Sequence, residues 1–230
     1  MPSRAKRRSV TARATQGSLF TGDERARIKR IGEPLALLLG RLGLTPDALT
    51  IAGFGIVIVA AIVAASGAWI ATAAILIVGT LFDGLDGTLA RATGKTSQFG
   101  AFLDSTFDRA GEAVIYAGIA AGAAIQGRTD VIVLATLALG IGSLVSYVRA
   151  RGEGLGISAD NGIAQRAERA AILIAGLIAG GALGATWLAA ALLLVVALSA
   201  ITVVQRILYV RAGLAAREHG ASQDARESRR

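Results

Sequence analysis

Four aspartates interrupt an otherwise apolar stretch in the middle of the chain: Asp83 and Asp86, then Asp104 and Asp108. An ionisable side chain inside a membrane-length apolar segment is costly and marks a site. Asp83 and Asp86 are spaced i,i+3 and Asp104 and Asp108 i,i+4, so each pair projects from one face of its own helix. Two such helices facing each other would converge four carboxylates. Like charges a few Å apart in a poorly solvated site repel strongly, and one or two divalent cations between them are the simplest resolution. Oxygen donors alone, with no His or Cys nearby, favour Mg²⁺, Mn²⁺ or Ca²⁺ over zinc. Metals held this way suit displacement at phosphorus, where they clamp a diphosphate and neutralise developing charge. Aspartates that merely braced two helices would need matching cations, and Arg91 and Arg109 are the only two in these segments.

The elements that must position these residues are apolar. Of 230 residues 53% are hydrophobic, the mean hydropathy is +0.59, and small residues abound, including 29 glycines. That composition fits a polytopic helical membrane protein whose small residues let helices approach closely, and several runs reach the roughly 20 residues that span a bilayer. A soluble helical protein is excluded on the same ground. Cysteine is absent, so thiol chemistry is unavailable and the redox compartment stays open.

Residues 1–22 form a basic tail without the apolar core of a signal peptide, and disorder is expected there. Over 23–42, Ile28, Ile31, Leu35, Leu38 and Leu42 recur at spacings of three and four among arginines and a lysine, which predicts an amphipathic juxtamembrane helix bent at Pro34. Thr45 or Asp47 would cap the next helix. Six transmembrane helices follow near 47–66, 69–92, 98–125, 130–153, 163–182 and 186–211, giving an all-α membrane domain over 23–212 and a polar tail over 213–230. The connections after the first, third and fifth spans are short and nearly uncharged. The other side holds the arginines, 10 of the 24 Lys plus Arg preceding residue 47, so the positive-inside rule predicts cytoplasmic termini. Trp69 and Trp187 are expected at the opposite interface. A net charge of +8 distributed in this way points to membrane topology and lipid, and away from nucleic acid. Asp83 precedes Arg91 by eight residues, roughly 12 Å at 1.5 Å per residue. The carboxylates therefore lie in the cytoplasmic leaflet, where a water-filled cavity must reach them.

The pattern Asp83-x2-Asp86-Gly87-x2-Ala90-Arg91-x8-Gly100-x3-Asp104-x3-Asp108 resembles the complete signature of the CDP-alcohol phosphotransferases, integral membrane enzymes of phospholipid synthesis. The resemblance implies a CDP-linked lipid such as CDP-diacylglycerol as donor, with CMP leaving. It implies Asp83, Asp86 and Asp104 as ligands of Mg²⁺ or Mn²⁺, two ions in all, and Asp108 as ligand and general base on the acceptor hydroxyl. The residues alone do not single out Asp108, since a base beside bound metals has a depressed pKa and needs close geometry. Gly87 and Gly100 read as positions where backbone approaches a ligand or helix, with Gly84 similar. By resemblance Ala90 leaves room for cytidine, and Asp47 and Thr50 lie near the nucleotide. Arg91 would reach the diphosphate or snorkel to the interface. Glu112 is expected to pair with Arg109.

Arg149 and Arg151, then Arg166 and Arg169, surround one cytoplasmic connection, and Arg206 stands at the base of the last span. Topology alone places some arginines there. Arg166 and Arg169, one turn apart inside the start of a span, suit gripping a phosphate. This stretch is similar to that of the bacterial phosphatidylinositol-phosphate synthases, which implies an inositol phosphate as acceptor; Arg149 stands where they usually carry lysine. Phosphatidylglycerophosphate synthase, with a glycerol 3-phosphate acceptor, is the alternative within the class. A cation transporter is the alternative outside it, but a transporter should show an inverted repeat and midplane acids, and neither is evident. The resemblance also implies a homodimer in the cell membrane.

Overall fold

The computed structural model of the protein describes residues 33–227, with side chains through His219. The basic tail, the start of the expected juxtamembrane helix through residue 32, and residues 228–230 lie outside the described residues. Every element described is helical. After a helical segment at 33–41 come α1 (Pro46–Ala65), α2 (Trp69–Thr93), α3 (Gln98–Ile125), α4 (Thr129–Gly154), α5 (Arg166–Leu183) and α6 (Ala185–Glu227). Four of them, α1, α2, α4 and α6, are long and apolar enough to cross a membrane. α3 and α5 hold the charges that keep them below that measure, Asp104, Asp108, Arg109 and Glu112 in one and Arg166, Glu168 and Arg169 in the other.

Local chemistry sets the boundaries. Thr45 caps α1 by accepting from the Ala48 N–H at 3.2 Å, and Pro46 follows at the first helical position, where its missing N–H costs nothing. Asp47 therefore sits in the first turn and is not the cap. α2 ends at Gly94 in the left-handed conformation, φ 66°, with the Lys95 N–H returning to the Ala90 carbonyl at 2.9 Å. Ser97 then opens α3 by accepting from the Gly100 N–H at 2.8 Å. This tight reversal brings the two aspartate pairs face to face.

The packing order is a closed ring, in which α1 touches α2 and α3, α2 touches α5, α5 touches α6, α6 touches α4, and α4 touches α3. α3 and α5 lie across the ring and do not pack on each other. Glycines set the closest contact. At Gly118 on α3, a Cβ would meet the Ala61 Cα and carbonyl carbon of α1 at 2.9 Å. One turn on, Gly122 admits the Trp69 ring, whose Cη2 would stand 2.8 Å from an added Cβ. Trp69, at the first position of α2, is consequently buried in the main core, whereas Trp187 is exposed.

The described part of the juxtamembrane segment packs on the bundle by the face opposite its leucine stripe. Ala36 is buried and Leu39 lies against Leu49, Leu85 and Leu89, while Leu35, Leu38 and Leu42 are exposed. α5 begins at Arg166, three residues later than expected. The preceding irregular connection is held by α6: Thr202 Oγ1 accepts from the Ala164 N–H at 3.0 Å, and Asn161 Nδ2 donates to the Gln205 carbonyl at 3.3 Å. α6 runs on through the expected polar tail because Arg217 donates to the Leu155 carbonyl at 2.8 Å and to that of Gly156.

Replacing Gly118 with Val should lower stability by about 1–3 kcal/mol, since backbone of α1 cannot recede as a side chain can. Gly84→Ala should leave the melting temperature unchanged or raised, because nothing lies within 4 Å of a Cβ at that position. Thermal unfolding of the purified variants in detergent measures both.

Candidate active site between two cavities

α2 and α3 present their acids to the interior of the ring. Carboxylate oxygens of Asp83, Asp104 and Asp108 lie within 4.8 Å of one another. Asp86 is set slightly apart: its carboxylate accepts from the Thr50 hydroxyl of α1 at 2.6 Å and from the Gly87 N–H, and it is buried. Three of the expected four carboxylates thus converge directly, and the fourth is anchored to α1. Arg166 reaches across from α5, its Nη1 2.6 Å from Asp83 Oδ2 and its Nη2 2.7 Å from Asp108 Oδ1. Asp108 also meets Arg109 at 3.2 Å. The Phe54 and Phe107 rings stack at 4.7 Å between centroids, fixing α3 on α1 at the level of Asp108.

Two cavities open on this cluster. One is lined by Asp47, Thr50, Asp86, Gly87, Ala90, Arg91, Gly100 and Asp104. It therefore gathers every residue that the resemblance placed near the CDP-lipid. Gly100 has little room for a side chain, since a Cβ would stand 3.2 Å from Asp47 Oδ1 and 3.1 Å from Ser97 Oγ. Gly84, by contrast, faces open space. The second cavity contains Asp83, Asp108, Glu112, Arg166 and Arg169 at its polar end and Leu76, Ile115 and Leu173 at the other. Asp86 and Asp104 line the first and Asp83 and Asp108 the second, with Thr50 common to both, so the carboxylates lie along the wall between them.

The five arginines expected to grip an acceptor phosphate separate into groups. Arg166 and Arg169 line the second cavity. Arg149 is paired with Glu153 at 2.9 Å and Asp160 at 2.7 Å, and Arg151 is exposed; neither lines either cavity. Arg206 is buried and donates to the carbonyls of Asn161 at 2.9 Å and Val145 at 2.7 Å, clamping α6 to α4 and to the connection before α5. Glu112 does not pair with Arg109. It holds Arg169 at 2.5 Å, whereas Arg109 turns back to Asp108 and the Ser105 carbonyl. Spacing favoured the i,i−3 neighbour on α3, and only the ring order reveals that α5 stands opposite.

A model of the CDP-alcohol phosphatidyltransferase family matches residues 43–204. The chain belongs to this family. Archaetidylinositol phosphate synthase of Methanothermobacter thermautotrophicus is 42% identical over 183 residues, which are 80% of this chain and 90% of the relative. Phosphatidylinositol phosphate synthase of Mycobacteroides abscessus is 40% identical over 187 residues, 79% of this chain and 84% of the relative. The crystal structure of Mycobacterium tuberculosis phosphatidylinositol phosphate synthase with CDP-DAG bound superposes with a TM-score of 0.73 at 33% identity, covering 79% of this chain and 94% of that one. The same enzyme in complex with manganese and citrate superposes with a TM-score of 0.72 at 31% identity, covering 78% and 88%. The chain is accordingly a multi-pass phosphatidyltransferase of the membrane, and a solved member of its family binds manganese. Its own residues fit such an ion: the donors are all oxygen, and three carboxylates this close need positive charge among them.

Thr50 tests how the fourth aspartate is held. Thr50→Val should weaken divalent-cation binding by about 10–100-fold, because groups that orient a ligand matter nearly as much as the ligand itself. Thr50→Ser should retain it. Mn²⁺ titration followed by electron paramagnetic resonance reads the affinity directly.

Proposed function

We propose that the protein transfers the phosphatidyl group of CDP-diacylglycerol to a hydroxyl of an inositol phosphate, giving phosphatidylinositol phosphate and CMP. The observation that carries this reading is the position of the carboxylates on the wall between two cavities, one lined by the family signature and the other by Arg166 and Arg169. A diphosphate on one side and a phosphorylated polyol on the other would meet at that wall and nowhere else. The two curated relatives differ in the lipid that their names carry and agree on inositol phosphate, which favours this acceptor over glycerol 3-phosphate.

Each residue then has a task. Asp47, Gly87, Ala90 and Gly100 bound the space for the cytidine diphosphate end, and Arg91 stands at its edge. Arg166 and Arg169 bind the acceptor's phosphate from α5 and so orient its nucleophilic hydroxyl toward the lipid-side phosphorus. Asp108 takes the hydroxyl proton as the new oxygen–phosphorus bond forms, and the bond from that phosphorus to the bridging oxygen breaks, its electron pair leaving with CMP. Asp83, Asp86, Asp104 and Asp108 would hold Mg²⁺ or Mn²⁺, two ions by the family's pattern, and these supply neutralisation of the diphosphate and of the departing phosphate. Arg166 already neutralises Asp83 and Asp108 in part, so it links the acceptor end of the site to the metal end.

All six helices serve as spans in this reading, because α3 and α5 turn their charges into the ring. The ends of the bundle at 94–97 and 155–165 face the cytoplasm of a cell membrane together with both termini. Homodimerisation follows the family's pattern, and the apolar residues exposed along α1, α2, α4 and α6 permit it.

Purified protein in lipid nanodiscs should release CMP from CDP-diacylglycerol only when an acceptor is present, and inositol 1-phosphate should support the fastest turnover in a panel with glycerol 3-phosphate, inositol and serine. Chelation should abolish this, and Asp83→Asn or Asp104→Asn should lower it by several orders of magnitude. Turnover in excess EDTA would remove the metal from the mechanism, and preference for glycerol 3-phosphate would replace the acceptor. For orientation, a cysteine at Thr129 should react with an impermeant maleimide from outside intact cells, and one at Ser222 should react only after lysis.

A further inference from the structure

Glu112 lies outside the signature, one turn beyond Asp108 on α3, and Arg169 lies one turn beyond Arg166 on α5. Because these two helices do not pack on each other, the cavity between them is crossed by two parallel bridges. Arg166 meets Asp108 at 2.7 Å, and Arg169 meets Glu112 at 2.5 Å. The bridges differ in solvation. The Arg166 side chain is 43% exposed and that of Arg169 only 4%. A guanidinium so far from solvent requires a counter-charge, and Glu112 is the carboxylate beside it.

Arg169 is also confined from two further directions. Its Nη1 donates to the Ala164 carbonyl at 3.2 Å. Gly142 of α4 backs the pair closely, so that a Cβ there would stand 3.6 Å from Glu112 Oε2 and 3.7 Å from Arg169 Nε. A long side chain that would otherwise sample many rotamers is thereby held in one, and the entropy of fixing it is spent in folding and not on ligand binding. The remaining N–H groups of its planar fork stay in place at the polar end of the cavity.

We propose that Glu112 is a positioning residue for the acceptor: through its bridge to Arg169 it holds a preorganised guanidinium for the acceptor's phosphate. The inference rests on the acceptor reading given above. Glu112 itself does not touch the reacting atoms. A bridge that only braced the ring would change stability and leave substrate kinetics alone, whereas a positioning role appears in the acceptor's KM and depends on Arg169.

The test uses the full chain in nanodiscs with saturating Mg²⁺, measuring CMP release while inositol 1-phosphate and CDP-diacylglycerol are varied in turn, for Glu112→Gln, Glu112→Asp, Arg169→Ala and the Glu112→Gln/Arg169→Ala pair. Glu112→Gln should raise the acceptor KM about tenfold, the worth of one charge-assisted hydrogen bond, with the KM for CDP-diacylglycerol unchanged. Glu112→Asp keeps the counter-charge, so the bundle should fold, and should raise the acceptor KM by a smaller factor. In the Arg169→Ala background Glu112→Gln should add nothing further, since the two act as a unit. Wild-type acceptor KM in both Glu112 variants, equal rises for the two substrates, or an independent effect on top of Arg169→Ala would each overturn the inference. If Arg169→Ala raises the acceptor KM and the Glu112 variants do not, the role of Glu112 falls and the acceptor reading stands; if Arg169→Ala also has no effect, both fall.

Discussion

Carboxylates close enough to share a cation, set below the surface of a membrane protein, impose one condition on everything around them: positive charge and water must reach a depth at which the surrounding medium supplies neither. The ring of helices meets it by leaving α3 and α5 apart. Two arginines on α5 cross the gap to acids on α3 and α2, and a cavity remains around them. If α3 and α5 packed directly, no cavity would remain and the acids would be cut off from water and from any cation, at a cost that small-residue packing could not offset. The close approach of α3 to α1 through Gly118 and Gly122 serves the same condition from the other side, because it draws α3 outward onto α1 and keeps the interior open.

Much of this was legible in the residues, and the reasons are physical. Span limits follow from apolar length and from local caps, so α1 to α4 begin and end within a residue or two of the expected positions. The aspartate pairs follow from helical spacing, and the reversal at Gly94 to Ser97 leaves them little choice but to face each other. The partner of Glu112 did not follow, because spacing reports neighbours on one helix, and the arginine it meets lies 57 residues away on α5. The packing of Trp69 did not follow for a related reason. Its amphipathic ring suits the interface, but the slot made by Gly122 and Ala64 is a property of two helices together. α6 overran its expected end because a polar sequence gives no sign that Arg217 will find two free carbonyls in the turn after α4.

The arginines show where charge counting stops being informative. Positive-inside topology and phosphate binding both call for Arg at a cytoplasmic connection, so sequence groups Arg149, Arg151, Arg166, Arg169 and Arg206 together and distinguishes Arg166 and Arg169 only by their spacing. Their surroundings separate them. Arg149 is spent on acids of its own connection and helix, and Arg206 on the Asn161 carbonyl of the irregular segment before α5 and the Val145 carbonyl of α4. A buried carbonyl without a donor costs about as much as a lost hydrogen bond, so this clamp fixes where α5 starts. That start in turn sets the register of Arg166 and Arg169 against α3. Arg206 therefore reaches the site through the backbone: it holds the connection whose last residues launch α5, and a shift of one residue there would rotate Arg166 by about 100° and turn it away from Asp83 and Asp108.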